Sequence, residues 1–511
     1  MYLIFSASKD NYITNKIIST SLSASDANVG QASTLDLFKL YDETSFSGYT
    51  GSYAAPTEFS RILVAFNTTA ISSSISPYAE LDGFKAYLSL KDINGSQIAP
   101  KDFNAIVYPL SQSWEEGNGT DIYSFNDLGR SNWLTSSYSN SAEVLWNQQG
   151  ARAEGYLNST DIDVISSGSI AGGASEYLYS VQNFVKGHED LFVDITTQLS
   201  ATMAGFLPDN GFLIAFSGSE ETDSASRFVK RFGARHARDP YLRPTIIVAY
   251  DNHKNDARNR MVFNTTGSLF LENKVLGAYS NLLSGSNNTN MTGSDVLSVI
   301  FHTGSYAITA SGGQYSPANK HLTGIYSASV NFDRFVTDTV RASAGFDEHI
   351  NTSGSLKIYE RWMDTDENVT FYSGSFDVKL SNTNTGTSRP QYKFSVTNLQ
   401  KDYKLNEIHK IELFLRDDAI AHNPVRKNYS LKSLKINEAY YQVRDLSTGQ
   451  KVIPFNETNN STRISADING MYFDFSTTGL PAGRSYTFDI RVKLGQQYTI
   501  YETNTSFRIE L

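Results

Sequence analysis

The densest group of reactive side chains in the sequence is KRFGARHARDPYLRP, residues 230–244, which carries Arg231, Arg235, His236, Arg238, Asp239 and Arg243. Arginine presents a planar fork of donors that matches carboxylates and phosphates. The stretch therefore reads as a contact for an anion or a partner subunit. Its plain alternative is a solvated loop ahead of a strand. His236 has no second group at catalytic or zinc spacing beside it, and the chain has no cysteine, so it reads as structural. Glu115 and Glu116 are the other striking pair, but neighbours on an extended chain point to opposite sides, and a glycosidase pair comes from separate elements. Both read as loop residues. The eight histidines are scattered, and no pair has zinc-finger or HExxH spacing. Asp364 to Asn368, DTDEN, offers oxygens to a calcium ion but lacks the glycine and distal glutamate of an EF-hand loop, so it reads as a turn. No P-loop, dinucleotide fingerprint or nucleophile elbow is present. The expectation is no catalytic residue, no cofactor, no metal and no enzyme activity.

Composition narrows the class. With 511 residues the chain is long enough for three or four domains. Aromatics make up 13% of it, including 30 Tyr and 30 Phe, which favours sheets with polar loops. Without cysteine there is no disulfide framework and no thiolate site. A formal charge of −10 argues against general binding to nucleic acid or anionic membrane. Apolar runs stay well below the roughly 18 residues of a spanning helix. The opening MYLIFSASKDNYITN lacks a basic start and a long apolar core, so it reads as a strand. A leader has then been removed, or the protein leaves the cell another way, as phage particles do by lysis.

The elements that must position these residues are strands. FNAIVYPLSQSW alternates, with Phe103, Ala105 and Val107 on one side and Ile106 and Tyr108 on the other. Trp114, Trp133 and Trp146 follow within one long polar excursion, and their rings tie it to a core. RILVAF and TIIVAY are unbroken apolar runs, the mark of strands buried on both faces. A glycine-rich stretch, SSGSIAGGASE, precedes YLYSVQNFVKGHE, where Leu178, Val181 and Val185 at helical spacing predict a short surface helix. DNHKNDARNR, residues 251–260, is polar and charged and reads as a linker at a domain boundary. SGSNNTNMTGSD (284–295) reads as an exposed loop and SNTNTGTSRPQ (381–391) as a turn-rich break. In IELFLRD, Ile411, Leu413 and Leu415 share a face. In YTFDIRVKL, Tyr486, Phe488, Ile490, Val492 and Leu494 oppose Thr487, Asp489, Arg491 and Lys493, predicting one buried and one solvated face. The fold class is all-β, a tandem array of jelly-roll-like and Ig-like β-sandwich domains: residues 1–252, a second β-sandwich region over 261–400, and 404–511.

Six short motifs in the first half occur in a familiar order: Asp10–Ile13, Arg61–Phe66, Trp114–Gly117, Val193–Thr196, Asn210–Phe212 and Arg243–Tyr250. In that order they resemble the DNRLRE-type domain, a β-sandwich related to some carbohydrate-binding modules. Ala65 stands where that family often has arginine, and the insert between Gly155 and Asn183 is long. The last hundred residues resemble, in style, Ig-like domains of structural proteins of tailed phages. What these resemblances imply is a non-enzymatic structural protein located in a tailed-phage virion: a tail, neck, baseplate, fibre or capsid-decoration component. Its partners would be other virion proteins and copies of itself. The alternative is a polysaccharide-binding or adhesion protein of a bacterial surface, with exposed tyrosine or tryptophan stacking on a glycan. A polysaccharide-degrading tailspike ranks third, since no β-helix period is visible.

Overall fold

The computed structural model describes residues 1–19, 22–42, 57–75, 83–93, 98–123, 129–140, 142–285, 288–304, 306–317, 320–332, 354–380, 390–419 and 433–510. The chain is all-β, built of packed sheets with three short α-helices among the described residues.

The first body is a two-sheet sandwich. One sheet has four strands, in the order Tyr2–Ser6, Thr245–Ala249, Lys85–Leu90 and Leu191–Asp194. The other has seven. Its spine is Ser180–Phe184, Phe103–Pro109, Phe212–Phe216, Thr57–Ala65, Thr34–Tyr41 and Arg227–Gly233, with Lys9–Thr14 also pairing with Thr57–Ala65. The core between the sheets includes Leu3, Ile62, Val64, Leu88, Val107, Ile214 and Val248.

Both sheets are covered on their outer faces as well. The Trp excursion folds over the seven-stranded sheet, where Trp114, Trp133 and Trp146 pack with Ile13, Leu63, Ile106 and Leu213. Residues 62, 63, 64 and 65 of RILVAF are accordingly all buried. The outer face of the four-stranded sheet presents Tyr2, Ile4, Ile247 and Ala249, and these join the core of the last body. Each large apolar side chain removed from water here contributes about 1.5–3 kcal/mol.

The last body is an Ig-like sandwich. A four-stranded sheet (Tyr392–Val396, Ile408–Asp417, Met471–Ser476, Ser465–Ala466) faces a six-stranded one built on Ala439–Asp445 and Ser485–Leu494. Ile411, Leu413 and Leu415 line its core, as their alternation predicts, and so do Phe488, Ile490 and Val492. The opposite face of that strand is not fully solvated. Thr487 and Asp489 are buried, and Asp489 accepts from Arg444 at 2.9 and 3.0 Å and from Gln442 at 3.0 Å. The Tyr486 hydroxyl donates to the Pro481 carbonyl at 2.9 Å, a tyrosine corner of the kind that ties sheet ends in such sandwiches.

The middle body is one six-stranded antiparallel sheet among the described residues, rather than two facing sheets. Its order is Thr266–Glu272, Ile325–Asn331, Tyr306–Gln314, Leu297–Thr303, Ser355–Asp364 and Thr370–Lys379. Leu297, Val299, Phe301, Ile358 and Trp362 point to its buried side. Most of the predicted break at 381–391 lies outside the described residues. In the 284–295 stretch Met291 is buried in the core of this body rather than exposed.

Two local expectations are corrected. No helix forms over 177–189: Ser175–Tyr177 and Ser180–Phe184 are strands. Leu178 seats in a small satellite core with Leu157, Ile165 and Leu207, while Val181 and Val185 are exposed. Their spacing matched a helical stripe without sharing a face. The charged linker 251–260 is not solvated as its polarity suggests. Lys254, Asp256 and Arg258 are among the most buried polar residues of the chain. Asn255 bridges to Ala466 in parallel, beside main-chain bonds Ala466 N to Lys254 O (2.9 Å) and Asp256 N to Ala466 O (3.1 Å). Arg258 then pairs with Asp256 and Glu360, with Nε 2.6 Å from Glu360 Oε1, and donates to the Phe270 carbonyl at 2.8 Å.

Removing Arg258 strands two buried carboxylates. Arg258→Met is expected to cost about 3–5 kcal/mol in equilibrium denaturation followed by fluorescence. A change below about 0.5 kcal/mol, the size usual for a solvated linker position, would show the segment to be open in solution.

Candidate functional site

Two of the first-half motifs, Asp10–Ile13 and Trp114–Gly117, meet in one polar cluster of the first sandwich. The Asp10 main-chain N–H donates to Glu116 Oε1 at 2.9 Å. Asn11 Nδ2 donates to the Ser131 carbonyl at 2.9 Å, and Asn28 Nδ2 donates to the carbonyls of Glu116 (2.7 Å) and Ser131 (2.9 Å). Lys9 Nζ donates to the Trp114 carbonyl at 2.6 Å and lies 4.4 Å from the centre of its ring. Gly117 turns at φ +84°, where a Cβ would overlap the Asn28 amide at 2.2 Å, so only glycine fits the corner.

The arginine-rich stretch joins this cluster. Arg235 grips Glu116 with Nε at 3.0 Å and Nη2 at 2.6 Å, and Arg231 grips Asp36 with both contacts at 2.7 Å. Arg243 Nε donates to the Ala237 carbonyl at 3.2 Å, and Arg238 is exposed. His236 is half-buried with Nε2 shielded and without a hydrogen-bond partner among the described residues; burial and the Arg235 charge lower its pKa. Two of the five residues predicted as a partner contact are thus engaged by carboxylates of the same domain. The contact this loop makes runs within the chain, through Asp239 and through Tyr241, which the charge pattern does not single out. Asp239 accepts from Arg484 at 3.0 Å, and the Tyr241 hydroxyl lies 2.8 Å from Asp445 and 3.1 Å from the Tyr486 hydroxyl. Burial pushes the Asp445 carboxyl up, but hydrogen bonds from Ser447, Thr448 and Tyr241 outweigh it and hold the group well below the carboxylate range.

A concave surface lies on the outer face of the seven-stranded sheet, beside the Trp excursion. Two adjoining hollows of about 210 and 600 Å³ share Gln148, Arg152, Glu221 and Thr222. At their floor Arg61, 5% exposed, clasps Glu221 through Nη2 (2.5 and 2.7 Å) and Nε (3.1 Å) and donates to the Gly150 carbonyl at 2.7 Å. Burial lowers the Arg61 pKa against the opposing pull of Glu221. Arg152 stands 3.9 Å from Glu221 and 5.5 Å from the Phe59 ring centre. From this floor a row of tyrosines runs outward: Tyr108 hydrogen-bonds Glu154 at 3.2 Å, Tyr179 lies 5.6 Å from Tyr108, and Tyr177, 76% exposed, lies 5.4 Å from Tyr179. Arg61 belongs to a strand motif already noted in the sequence, but Arg152 in a loop, Glu154 at the start of the short strand Glu154–Tyr156 and Glu221 in the short helix Gly218–Thr222 are connected by no spacing.

Glu115 pairs with Arg130. Asp364 accepts the main-chain N–H groups of Asn368 (2.7 Å) and Val369 (3.0 Å), a turn-closing role. All four tryptophans are buried. Among the described residues no three His, Asp or Glu side chains are gathered as for a metal ion, and no described helix is long and apolar enough to cross a membrane.

No protein-family model matches the chain, and no curated protein matches it. Among solved structures, the fibronectin(III)-like modules of Clostridium thermocellum CbhA match at 10% identity over 51% of this chain and 91% of theirs, with a TM-score of 0.14. An ICAM-5 D1–D4 ectodomain fragment matches at 10% identity over 52% and 64%, with a TM-score of 0.13. A Salmonella alpha-2-macroglobulin matches at 9% identity over 99% of this chain and 27% of that one, with a TM-score of 0.13. At such scores these likenesses carry no functional argument, and the sandwich assignment rests on the sheets themselves.

Asp10 gives this region a pH signature. Its side chain is 1% exposed, with Oδ1 shielded and unpaired among the described residues. Burial, with the nearby Glu116 charge and against the Arg235 main-chain N–H, raises its pKa to about 7. In the unfolded chain an aspartate titrates near ~3.9. The folded state therefore holds a proton that the unfolded state releases. The associated stability is fully present below pH ~4 and is lost as pH rises through about 7. Asp10→Asn is expected to flatten the fall in melting temperature between pH 5 and 8 and to be the more stable protein at pH 8. Parallel pH profiles for the two proteins would show the Asp10 proton to be irrelevant.

Proposed function

We propose that this chain is a non-enzymatic structural component of a tailed-phage virion, acting through contacts with other virion proteins and with copies of itself. The observation that carries the reading is its construction as a stiff spacer: the first and last sandwiches share one apolar core, and the segment between them is locked by buried ion pairs. A component that holds its neighbours at fixed spacing needs this more than it needs a mobile cleft. The DNRLRE-like order of motifs in the first half and the phage-style Ig-like rear support the same reading. Mass spectrometry of purified virions tests it. The chain is expected at fixed stoichiometry, with hundreds of copies for capsid decoration and few for a tail or neck ring. Its absence from particles would remove the proposal.

The cleft with its tyrosine row favours a second reading, a glycan-binding surface protein. Tyrosine rings offer flat apolar faces, while Arg152 and Glu154 offer hydrogen bonds at the rim. Under that reading the chain is retained on a host envelope polysaccharide, and Tyr177→Ala with Tyr179→Ala weakens retention by about tenfold, roughly 1.4 kcal/mol. Equal retention of the variant would remove the cleft from consideration.

A further inference from the structure

The six-stranded middle sheet is wedged open between its second and third strands. Leu297–Thr303 and Tyr306–Gln314 pair along seven positions, from Leu297 with Gly312 to Thr303 with Tyr306. Thr266–Glu272 and Ile325–Asn331 also pair along seven. Between these two ladders only three pairs form: Gly312 with Ala328, Gly313 with Ser327 and Gln314 with Tyr326. Beyond Gly312 the strands part, leaving a wedge of about 580 Å³ between Ile308–Ser311 and Ser327–Asn331.

The wedge is held open by separate anchors. At its apex the Gln314 N–H donates to the Gly293 carbonyl at 2.8 Å, Gln314 Oε1 accepts from the Gly293 N–H at 2.9 Å, and Ser311 hydrogen-bonds Asp295. The 293–295 loop lies so close that a Cβ on Gly313 would stand 2.8 Å from Ser294 Cα. The other flank follows its own ladder to Phe332, whose carbonyl accepts from the Asn264 N–H at 2.8 Å.

The two flanks expose what a strand needs. Residues 308–311 and 329–331 ladder on one side only, so their main-chain N–H and C=O groups turned to the wedge have no partner among the described residues. Open edges are ordinarily blunted by charge or proline. These flanks read Ile-Thr-Ala-Ser and Ser-Ala-Ser-Val-Asn, with neither. On the inner side Ala328 and Val330 are buried, and Ile308 and Ala310 pack partly against the core, giving an apolar floor. The open flank at 308–311 is four residues long, and this sets the length of an insert that pairs along it.

We propose that this wedge is an acceptor site for one extended segment of a different protein chain, inserted as an added strand. Because the flanks run antiparallel, the insert lies antiparallel to one and parallel to the other. Its inward residues are small and apolar, and its outward residues match the serines and threonines of the rim. Every described strand of this chain already belongs to a sheet, so any described strand of a second copy would have to break a ladder of its own to serve. The inference rests on the sheet alone and is independent of the virion reading.

The test uses the full chain and a dye-labelled, end-capped hexapeptide of alternating valine and serine, with a control N-methylated on alternate amides. Saturable binding is expected by fluorescence anisotropy, at least about tenfold weaker for the control, which loses its ladder hydrogen bonds. Amide exchange is expected to slow at 306–311 and 327–331 alone. No binding, equal binding of the control, or protection elsewhere would overturn the proposal. So would edges already protected in the free chain at every concentration, since the wedge would then be closed. Protection that grows with protein concentration without peptide would assign the site to a second copy and overturn the choice of partner.

Discussion

The placement of the middle sheet against the last sandwich depends on the guanidinium of Arg258. It is 1% exposed and meets two carboxylates, those of Asp256 and Glu360, that are equally buried. It also lies 5.6 Å from the ring centres of both Trp362 and Tyr372. Taking charges out of water costs several kcal/mol per ion unless geometry and hydrogen bonds offset it. Here they do. Trp362 Nε1 donates to Glu360 at 3.0 Å, the Phe270 N–H to Asp256 at 3.1 Å, and Lys435 stands 3.5 Å from Asp256. Close by, Lys254 pairs with Glu272 and Lys410 with Asp467, each at 2.6 Å. Four cations thus meet four carboxylates where the middle sheet, the connecting segment and the last sandwich come together. Such a network adds little net stability over an apolar core, but it tolerates only one relative placement of its members.

The second constraint is that neither sheet of the first sandwich has a bare outer face. One is roofed by the Trp excursion and the other by the last sandwich. This dictates unbroken apolar strands in place of alternating ones, and it leaves the loops to carry polarity. The polar cluster of Asp10, Asn11, Asn28 and Glu116 seals the end where the excursion leaves the sheet, and the cleft opens where the roof stops.

Strand identity was legible in the sequence wherever one face is dry, as with Ile411, Leu413 and Leu415, or both faces, as with Ile62 to Ala65. Periodicity reports burial directly. Charge is harder to read, because a charged residue looks the same whether it faces water or another charge. DNHKNDARNR therefore reads as no more than a linker, since the partners of Arg258 and Asp256, Glu360 and Lys435, lie 102 and 179 positions from them. The same limit governs the arginine-rich stretch: the arginines are plain, but Asp36 and Glu116 are 195 and 119 residues distant. The cleft has no signature in the sequence because it is assembled from separate strands, a short helix and a loop that lie far apart along the chain. The absent helix at 177–189 shows the converse hazard, in which three apolar residues fall at helical intervals by coincidence.

The shared core has a consequence for synthesis. The apolar outer face made by Tyr2, Ile4, Ile247 and Ala249 is complete once residue 249 has emerged, yet its cover includes the strand Met471–Ser476, some 220 residues later. At about 5–20 residues per second, a folded first sandwich presents a sticky, uncapped sheet for roughly 11–45 seconds on the ribosome. Nascent chains on one message that reach this stage together can meet through that face before either is finished. The chain is thus most open to mis-association, and most in need of a chaperone, in the interval between its first and last domains.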